Sequence, residues 1–440
     1  MGASYIYSGG TVTIESLAEG GFGVARHRGK VVFIPDAVPG DVVFFSAVED
    51  KKSYIRGRLE ELLTPSPHRT DPFCPHAGVC GGCQWQHISY PMQLNAKQRI
   101  VTDALERIAG IEGVHVPPVA PSSSLRGWRV VLEMQCEAGP RGQQVGFFAR
   151  KSRRIIKVQE CPVAFPALSS RIAGAGAALS ALKFHGRGEL RLLAGEGDRV
   201  VALLTLSGGF IPGEKAVRAA MRRLDVSGLV LANRSGCRTF GDPLVVYPGS
   251  STAPGGAISF SANGFVQANP DVNRKLIDHL LSHDISEKTV LELFSGGGNF
   301  TLPLAAGGAR VTAVERDETL SARAEKTLQS LGAQHSQVVT ADAAHYLTDA
   351  VEQGEQFDVV VLDPPRTGAH DVARLLPSLG AEEIFYISCA PATLARDVRI
   401  LMDHGFRLES ASVFDMFPHT FHVETLARLV RKGDADDRSD

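Results

Sequence analysis

The chain has 440 residues, with 46 Lys and Arg against 48 Asp and Glu and a formal net charge of −2 at pH 7. Hydrophobic residues make up 44% and charged residues 21% of the chain, which excludes a wholly disordered or collagen-like protein. The length predicts two to four domains of about 100–200 residues each, and near neutrality argues against a protein that simply coats nucleic acid.

The first sixty or so residues are predicted to form short strands. Alternating or apolar runs at residues 11–17, 30–34 and 41–48, separated by Gly and Pro, predict a small β-barrel over residues 1–63. No basic segment followed by an apolar core opens the chain, and no run nears about 18 apolar residues. We therefore expect a cytoplasmic protein with no membrane partner.

A helix and a second strand-rich region follow. Residues 91–108 predict a helix, because Pro91 stands at its start, apolar residues recur at helical spacing and Gly110 follows its end. Residues 128–246 are rich in strand patterns. Residues 245–269 carry no charged side chain and are dense in Gly, Ser and Pro, which indicates a domain boundary.

From about residue 289 the pattern changes to strands that alternate with helices. This order is typical of a doubly wound parallel sheet. The predicted strands are residues 290–294, 310–315, 337–340, 357–362 and 384–388. Residues 433–440 are predicted to be an acidic, disordered tail.

A glycine cluster follows the first of these strands, in residues 291–302 (LELFSGGGNFTL). Glycines let the backbone approach a ligand closely, and the helix that follows offers free N–H groups. Glu315 ends the second strand, where a carboxylate can bind a ribose diol, and Asp342 closes the third, where it can meet an adenine amino group. The layout fits NAD, FAD or S-adenosylmethionine, but the G-x-G-x-x-G spacing of dinucleotide sites is incomplete.

Two further motifs follow later strands. Asp363 opens residues 363–366 (DPPR), and Cys389 lies just before a predicted helix, where the helix dipole is expected to lower the thiol pKa. Glu424 is either a surface strand carboxylate or a buried base, which periodicity does not decide. A thiolate, a sulfonium donor and a separate carboxylate are what methylation of uracil C5 needs, because addition to C6 activates C5 and a base must then remove the C5 proton.

Four cysteines suggest a metal centre. Three lie within ten residues (CPHAGVCGGC) and a fourth is followed by Pro, a pattern that suits a Cys₄ zinc site or an iron–sulfur cluster. The Cys-Pro pairing favours the cluster, and zinc stays open. These four are Cys74, Cys80, Cys83 and Cys161. Cys136 and Cys237 are interpreted as ordinary buried thiols in strands.

Together these motifs resemble the RNA uracil-C5 methyltransferase family, most closely its 23S ribosomal RNA members that carry an iron–sulfur cluster. The matching segments are CPHAGVCGGC with Cys161, FVQAN (265–269), LELFSGGGNF, DPPR, SCAPATLARD (388–397) and HVETL. The resemblance implies a multidomain α/β protein: an OB-like TRAM β-barrel that binds RNA, a β-rich central domain with a [4Fe-4S] cluster, and a Rossmann-like class I methyltransferase. The implied domains are residues 1–63, residues 64–90 with 125–260, and residues 91–124 with 261–432.

The resemblance also implies roles for single residues. Cys389 corresponds to the nucleophile and Glu424 to the proton-abstracting base. Residues that match the S-adenosylmethionine site are Gln267, Phe294, Asn299, Glu315, Asp342 and Asp363. Phe265 and Asp363 match positions that meet the target base, and the cluster ligands are Cys74, Cys80, Cys83 and Cys161. Ser295 departs from relatives that carry another small residue or Cys, a change expected to leave the donor loop intact.

The predicted function is S-adenosylmethionine-dependent C5 methylation of a uridine in RNA, with 23S rRNA as the favoured target and a monomer as the acting form. The alternatives are a tRNA uracil-C5 methyltransferase, a flavin or nicotinamide iron–sulfur oxidoreductase, and a non-catalytic RNA-binding protein.

The charge is unevenly distributed along the chain. Residues 123–160 hold eight Lys or Arg against three Glu, whereas residues 341–371 hold seven acids against Arg366 alone. The basic region is interpreted as a phosphate-and-base surface, with a solvated hairpin as the alternative. The aromatic residues expected to serve that surface are Trp128, Phe147 and Phe148.

Overall fold

The computed structural model describes residues 7–139, 142–208, 212–247 and 258–433. Its first unit is a six-stranded sheet with the order β1-β5-β6-β4-β3-β2. Along β5 the buried side chains alternate with exposed ones, so that Val43, Phe45 and Ala47 fill the inside of the sheet. The strands are β1 (Tyr7–Thr13), β2 (Ser16–Ala18), β3 (Phe22–His27), β4 (Lys30–Pro35), β5 (Val42–Asp50) and β6 (Tyr54–Thr64).

The predicted helix after the barrel is confirmed. Helix α1 spans Tyr90–Ala104 and continues as a π-helical turn, Leu105–Ala109, which ends at Gly110 with a left-handed φ of 75°. Val101 shares a hydrophobic core with side chains from the C-terminal part of the chain, including Leu401, whereas Ala96 and Ile100 belong to a second core that includes Leu17 of the barrel. The helix therefore packs against the C-terminal sheet, although the strands of that sheet come much later in the sequence.

The central unit is a seven-stranded sheet covered on one face by two helices. The strand order is β13-β12-β11-β10-β7-β8-β9. Cys136 is buried in it as expected, but the expectation for Cys237 is wrong, since its strand β13 lies at the sheet edge and leaves the thiol exposed. The elements are β7 (Val131–Gly139), β8 (Gly142–Phe148), β9 (Ile155–Ile156), α2 (Pro166–Ser180), β10 (Gly186–Ala194), β11 (Val200–Leu206), α3 (Glu214–Leu224), β12 (Gly228–Asn233) and β13 (Gly236–Gly241).

A two-stranded ribbon, β14 (Leu244–Tyr247) with β15 (Ile258–Ser261), joins this unit to the last one. The last unit is a seven-stranded sheet with the order β18-β17-β16-β19-β20-β22-β21, in which β22 alone runs antiparallel to the other six strands. The predicted doubly wound sheet is confirmed. Because the chain reverses its direction of winding between β16 and β19, that point is where such sheets bind ligands.

The elements of this sheet follow the predicted order. They are α4 (Pro270–Leu281), β16 (Thr289–Leu293), α5 (Thr301–Ala306), β17 (Arg310–Glu315), α6 (Glu318–Ser330), β18 (Gln337–Thr340), α7 (Ala343–Gln353), β19 (Val359–Leu362), α8 (His370–Leu375), β20 (Glu383–Ser388), α9 (Pro391–Asp403), β21 (Phe406–Phe414) and β22 (Glu424–Arg431). Within the described ranges, no helix has both the length and the apolar character needed to cross a bilayer. Most of the predicted acidic tail, residues 434–440, lies outside the described residues.

Candidate active site

The carboxyl ends of the parallel strands open into one cavity of about 580 Å³. This cavity lies at the switch point between β16 and β19, where the order of the sheet predicts a ligand. All of the residues predicted to serve catalysis, the methyl donor or the target base line it: Phe265, Gln267, Phe294, Asn299, Glu315, Asp342, Asp363, Cys389 and Glu424.

The glycine cluster makes a tight turn at the end of β16. Phe294, Gly296 and Gly298 have φ values of 62°, 57° and 91°, which bring the backbone back towards the end of β17. There the N–H of Gly296 donates to Oε2 of Glu315 at 2.9 Å, and the N–H of Asp317 donates to Oε1 at 2.8 Å. The turn and the Glu315 carboxylate therefore fix each other.

Two other predicted donor-site residues are held by neighbours. The amide of Asn299 pairs reciprocally with the amide of Asn273, at 2.8 and 3.1 Å. Asp342 is the N-cap of α7, where Oδ1 accepts from the N–H of Ala344 at 3.0 Å and from that of His345 at 3.4 Å. Capping alone accounts for the position of this carboxylate, so its contact with an adenine stays a prediction.

Two acidic side chains meet beside the predicted nucleophile. Burial raises the pKa of Asp363 to about 7, and Gln267 donates to its Oδ2 at 3.5 Å. Glu424 is 3% exposed, and burial together with the charge of Asp363 raises its pKa well above the usual value, while Arg366 opposes this shift. Burial thus favours the protonated form of both carboxyl groups.

The expectation that a helix dipole lowers the pKa of Cys389 is wrong. Burial and the charge of Glu424 raise the pKa of this thiol to about 11, although Arg366 lowers it through its charge and a hydrogen bond. The following helix α9 begins at Pro391, which has no N–H to direct at the sulfur. Desolvation and neighbouring carboxylates therefore outweigh the dipole, and the resting residue is a thiol.

Comparison with known proteins shows to which family the chain belongs. The tRNA (Uracil-5-)-methyltransferase family matches residues 257–432, and the TRAM domain matches residues 5–59. A protein from Aeromonas hydrophila named 23S rRNA (uracil(1939)-C(5))-methyltransferase RlmD is 33% identical over 425 residues, 96% of each chain. The protein of the same name from Vibrio cholerae has the same identity and coverage. The chain belongs to the RNA uracil-C5 methyltransferase family.

A solved structure of another protein has the same fold as this methyltransferase over nearly the whole chain. The Pyrococcus abyssi tRNA (uracil-54, C5)-methyltransferase, in complex with S-adenosyl-L-homocysteine, covers 96% of this chain and all of its own, with a TM-score of 0.73 and 25% identity. The methyltransferase is therefore an S-adenosylmethionine-dependent enzyme with an N-terminal TRAM domain. The Oγ of Ser295 is buried in the cavity wall and has no hydrogen-bond partner among the described residues. This position suits the polar groups of the methyl donor.

Sequence reasoning missed Arg366 as a functional residue of the methyltransferase. In the sequence it is only the residue that follows two prolines, yet its charge lowers the pKa values of Cys389 and Glu424. Its loop is fixed by α9, since Thr393 Oγ1 donates to the carbonyl of Arg366 at 3.2 Å and Arg396 donates to that of Thr367 at 3.0 Å. The sequence signal for this residue is a cationic side chain three positions after Asp363, which follows the end of β19.

The surface predicted to bind phosphates and bases is only partly as expected. Trp128 is 5% exposed and packs edge-on against Phe417, so it is not available for stacking on a base. Phe147 lines a second cavity, and only Phe148 is exposed, at 38%. The basic side chains at 153, 154 and 157 are exposed, whereas Arg141 lies outside the described residues.

That second cavity, of about 440 Å³, is lined by all four predicted cluster cysteines: Cys74, Cys80, Cys83 and Cys161. The N–H of Gly82 points at Cys80 Sγ with a separation of 3.4 Å. Throughout the described part of the chain, no group of three or more His, Cys, Asp or Glu side chains is arranged to hold a metal ion. The structure thus gathers the four thiols around one space without showing a metal-binding geometry.

Proposed function

We propose that this methyltransferase methylates C5 of a specific uridine in 23S rRNA, with S-adenosylmethionine as the methyl donor. The observation that carries the proposal is the single cavity that holds a thiol, two carboxyl groups and the glycine turn. Support for the rRNA target comes from the relatives named for 23S rRNA, which match 96% of the chain. A tRNA target is the second candidate, because the similar solved structure is named for tRNA.

The proposed reaction begins at Cys389. After its proton passes to solvent, the thiolate adds to C6 of uracil, and the electron pair of the C5–C6 double bond moves to form an enolate. C5 then attacks the methyl group that bound S-adenosylmethionine would supply, and the bond between that methyl group and the sulfonium sulfur breaks to leave S-adenosylhomocysteine. The Glu424 carboxylate then removes the C5 proton, the C5–C6 double bond re-forms, and the bond between C6 and sulfur breaks to return the thiolate.

The charges around Cys389 fit this sequence. A buried carboxylate of raised pKa is a stronger base once ionised, which suits Glu424 for removing a carbon-bound proton. Arg366 favours the thiolate and the Glu424 carboxylate over their neutral forms. We assign Arg366 the role of stabilising the anions that the protonated resting cavity must form.

The remaining residues of the cavity are assigned to binding. We propose that Glu315 binds the ribose hydroxyls of the donor, and that Phe265, which is 66% exposed beside the cavity, stacks on the target base. We assign Asp363 to both the methyl donor and the target base, since Gln267 donates to its Oδ2 and its charge acts on Glu424. The other proposed donor contacts are Gln267, Phe294, Asn299 and Asp342.

RNA containing 5-fluorouridine tests the mechanism. Fluorine at C5 cannot leave as a proton does, so the enzyme with its donor is expected to form a covalent adduct that survives denaturation, attached through Cys389. The Cys389→Ser enzyme is expected to form none, and Cys237→Ser, which removes an exposed thiol, is expected to behave as wild type. A folded, donor-binding wild-type enzyme that forms no adduct would contradict the mechanism.

Mapping of methylated uridines tests the target. RNA from cells that lack the gene is expected to lose one or more C5-methylated uridines from 23S rRNA and to keep those of tRNA. Loss from tRNA alone would favour the second candidate.

We expect an enzyme that methylates ribosomal RNA to act in the cytoplasm. We also propose that it acts as a monomer with three domains, whose limits are those predicted from the sequence: residues 1–63, residues 64–90 with 125–260, and residues 91–124 with 261–432.

We also propose that Cys74, Cys80, Cys83 and Cys161 hold a [4Fe-4S] cluster. The support is the shared cavity, the four-thiol donor set and the backbone N–H aimed at Cys80. When bound, such a cluster would cross-link residues 74–83 to Cys161. Iron and acid-labile sulfide near four of each per chain, with broad visible absorbance, are expected from protein purified without air. Stoichiometric zinc in a colourless protein would contradict the proposal.

A further inference from the structure

The residues between β21 and β22, numbers 415–423, form a loop that leads directly into the proposed base. We call it the 415–423 loop. Phe414, the last residue of β21, pairs with Glu424, the first residue of β22, so the two ends of the loop lie side by side. Phe417 from the loop and Glu424 both line the active-site cavity. The loop therefore ends at the residue before Glu424 and shares a wall of the cavity with its carboxylate.

Helix α1 holds the beginning of the loop through a fully buried ion pair. Lys97 Nζ lies 2.5 Å from Oδ1 of Asp415, and neither side chain has any exposed surface. The same Nζ donates to the carbonyl of Phe417 at 2.9 Å, and the hydroxyl of Tyr90 donates to Oδ2 of Asp415 at 2.7 Å. A buried ammonium requires such partners, so Lys97 restricts the loop to conformations that supply them.

The same helix holds the middle of the loop. Gln93 Oε1 accepts from the N–H of His419 at 2.9 Å, and His419 adopts a left-handed φ of 66°, which is unusual for a residue other than glycine. The carbonyl of His419 accepts from the N–H of Gln84 at 3.0 Å and from that of Trp85 at 2.9 Å. Side chains of α1 and the backbone after the cysteine cluster thus over-determine a strained loop residue.

We propose that Lys97 and Gln93 are positioning residues for Glu424, an inference that rests on the proposed function. They would act only on the last step, in which the carboxylate removes the C5 proton and the bond from C6 to sulfur breaks. Cys389 and Arg366 are held by β20, α9 and the loop after β19 instead, so addition to C6 and methyl transfer are expected to change less than the last step.

The test uses RNA with ordinary uridine, on which wild type turns over without accumulating an adduct. Lys97→Met and Gln93→Leu are expected to accumulate a methylated covalent adduct, as Glu424→Gln should. Their kcat is expected to fall at least about tenfold with the donor KM within about twofold, since misplacement by about 1 Å can cost roughly 100-fold. The matched control is Lys288→Met, which removes a Lys–Glu383 pair (3.5 Å) at the opposite end of the sheet and is expected to accumulate none.

Tyr90→Phe keeps the ion pair and removes two hydrogen bonds, one to Asp415 Oδ2 and one from the N–H of Ser122, so it provides a milder variant if Lys97→Met does not fold. It is expected to show a smaller accumulation of the same adduct. Normal turnover by folded variants, or a loss of kcat without the methylated adduct, would overturn the inference. Wild type with 5-fluorouridine RNA separates the two failures: if it forms its adduct while these variants do not accumulate theirs, only the positioning role is wrong.

Discussion

The charge of Arg366 lowers the pKa of the Cys389 thiol, although the two residues follow different strands of the sheet. The prolines before Arg366 and the contacts of its carbonyl with α9 hold this cation beside the nucleophile. Burial and the carboxyl group of Glu424 act in the opposite direction and raise the thiol pKa to about 11. The resting nucleophile is therefore a thiol at neutral pH, and Arg366 limits how far its pKa rises.

Alkylation of Cys389 should follow this balance. In wild type, the iodoacetamide labelling rate of Cys389 is expected to rise with each pH step between about 8 and 10, because the thiolate fraction increases tenfold per unit below the pKa. Arg366→Met is expected to raise the pKa further and to slow labelling at pH 9 by roughly tenfold or more, as one pKa unit corresponds to about 1.4 kcal/mol. Peptide mass spectrometry measures the rate, with exposed Cys237 in the same sample as the reference.

Labelling of Cys389 that already proceeds at its maximum near pH 7 would contradict this expectation and would restore a dipole-stabilised thiolate. Equal rates in wild type and Arg366→Met, with Cys237 unchanged, would remove Arg366 from the anion-stabilising role.

The strand ends could be predicted from the sequence because each buried strand is a short apolar run followed by a polar or glycine motif. The order of such strands implied that Glu315, Asp363 and Cys389 meet at one edge, which the cavity confirms. The pKa of Cys389 could not be predicted in the same way. The helix dipole is a local property, whereas the burial and the Glu424 charge that outweigh it come from distant parts of the chain.

The same limit applies to aromatic side chains. Trp128 and Phe148 lie in one basic stretch of sequence, but the first packs inside against Phe417 and only the second is exposed. Likewise, nothing local indicates that Lys97 on α1 pairs with Asp415, more than three hundred positions away. Tertiary packing decides which member of a local pattern faces solvent, and it is not readable from that pattern.

Glu315 should control affinity for the methyl donor. Glu315→Gln keeps one oxygen as an acceptor for the N–H of Gly296, but it removes the charge offered to the ribose hydroxyls and the oxygen that accepts from the N–H of Asp317. The Kd of S-adenosylhomocysteine is therefore expected to rise about tenfold, or about 1.4 kcal/mol. Isothermal titration calorimetry measures the change. The control, Glu318→Gln, removes an exposed carboxylate from the first turn of α6. An unchanged Kd in folded Glu315→Gln would contradict the ribose assignment.

The exposed arginines of the β8–β9 hairpin should contribute to RNA binding through phosphates. Arg153→Gln with Arg154→Gln is expected to reduce the slope of log K against log salt by about 1.4–1.8, since each phosphate contact contributes about 0.7–0.9. Filter binding of a 23S rRNA fragment at several salt concentrations measures the slope. Lys215→Gln with Arg222→Gln on α3 changes the net charge equally and should leave the slope unchanged. Equal slopes for all three proteins would favour a hairpin that is merely solvated.

Glu292 in β16 should make stability depend on pH in a direction opposite to that of most carboxylates. It is 1% exposed, Thr301 Oγ1 donates to its Oε2 at 2.5 Å, and burial raises its pKa to about 8 from an ordinary value of 4.5. Below pH 4.5 the residue is protonated in both the folded and the unfolded chain. As the pH rises towards 8, the unfolded chain loses this proton first, so the free energy of unfolding falls across that window.

The full loss would be on the order of 5 kcal/mol, at about 1.36 kcal/mol per pKa unit. Glu292→Gln, which keeps an acceptor for Thr301, should therefore lose less stability than wild type between pH 5 and pH 8. Thermal unfolding of both proteins at the two pH values measures the difference, with Glu352→Gln on the exposed face of α7 as the control. Because Asp363 and Glu424 titrate in the same direction in every variant, only the difference from wild type reports Glu292. Parallel pH profiles for wild type and Glu292→Gln would show that the buried carboxyl group carries no such penalty.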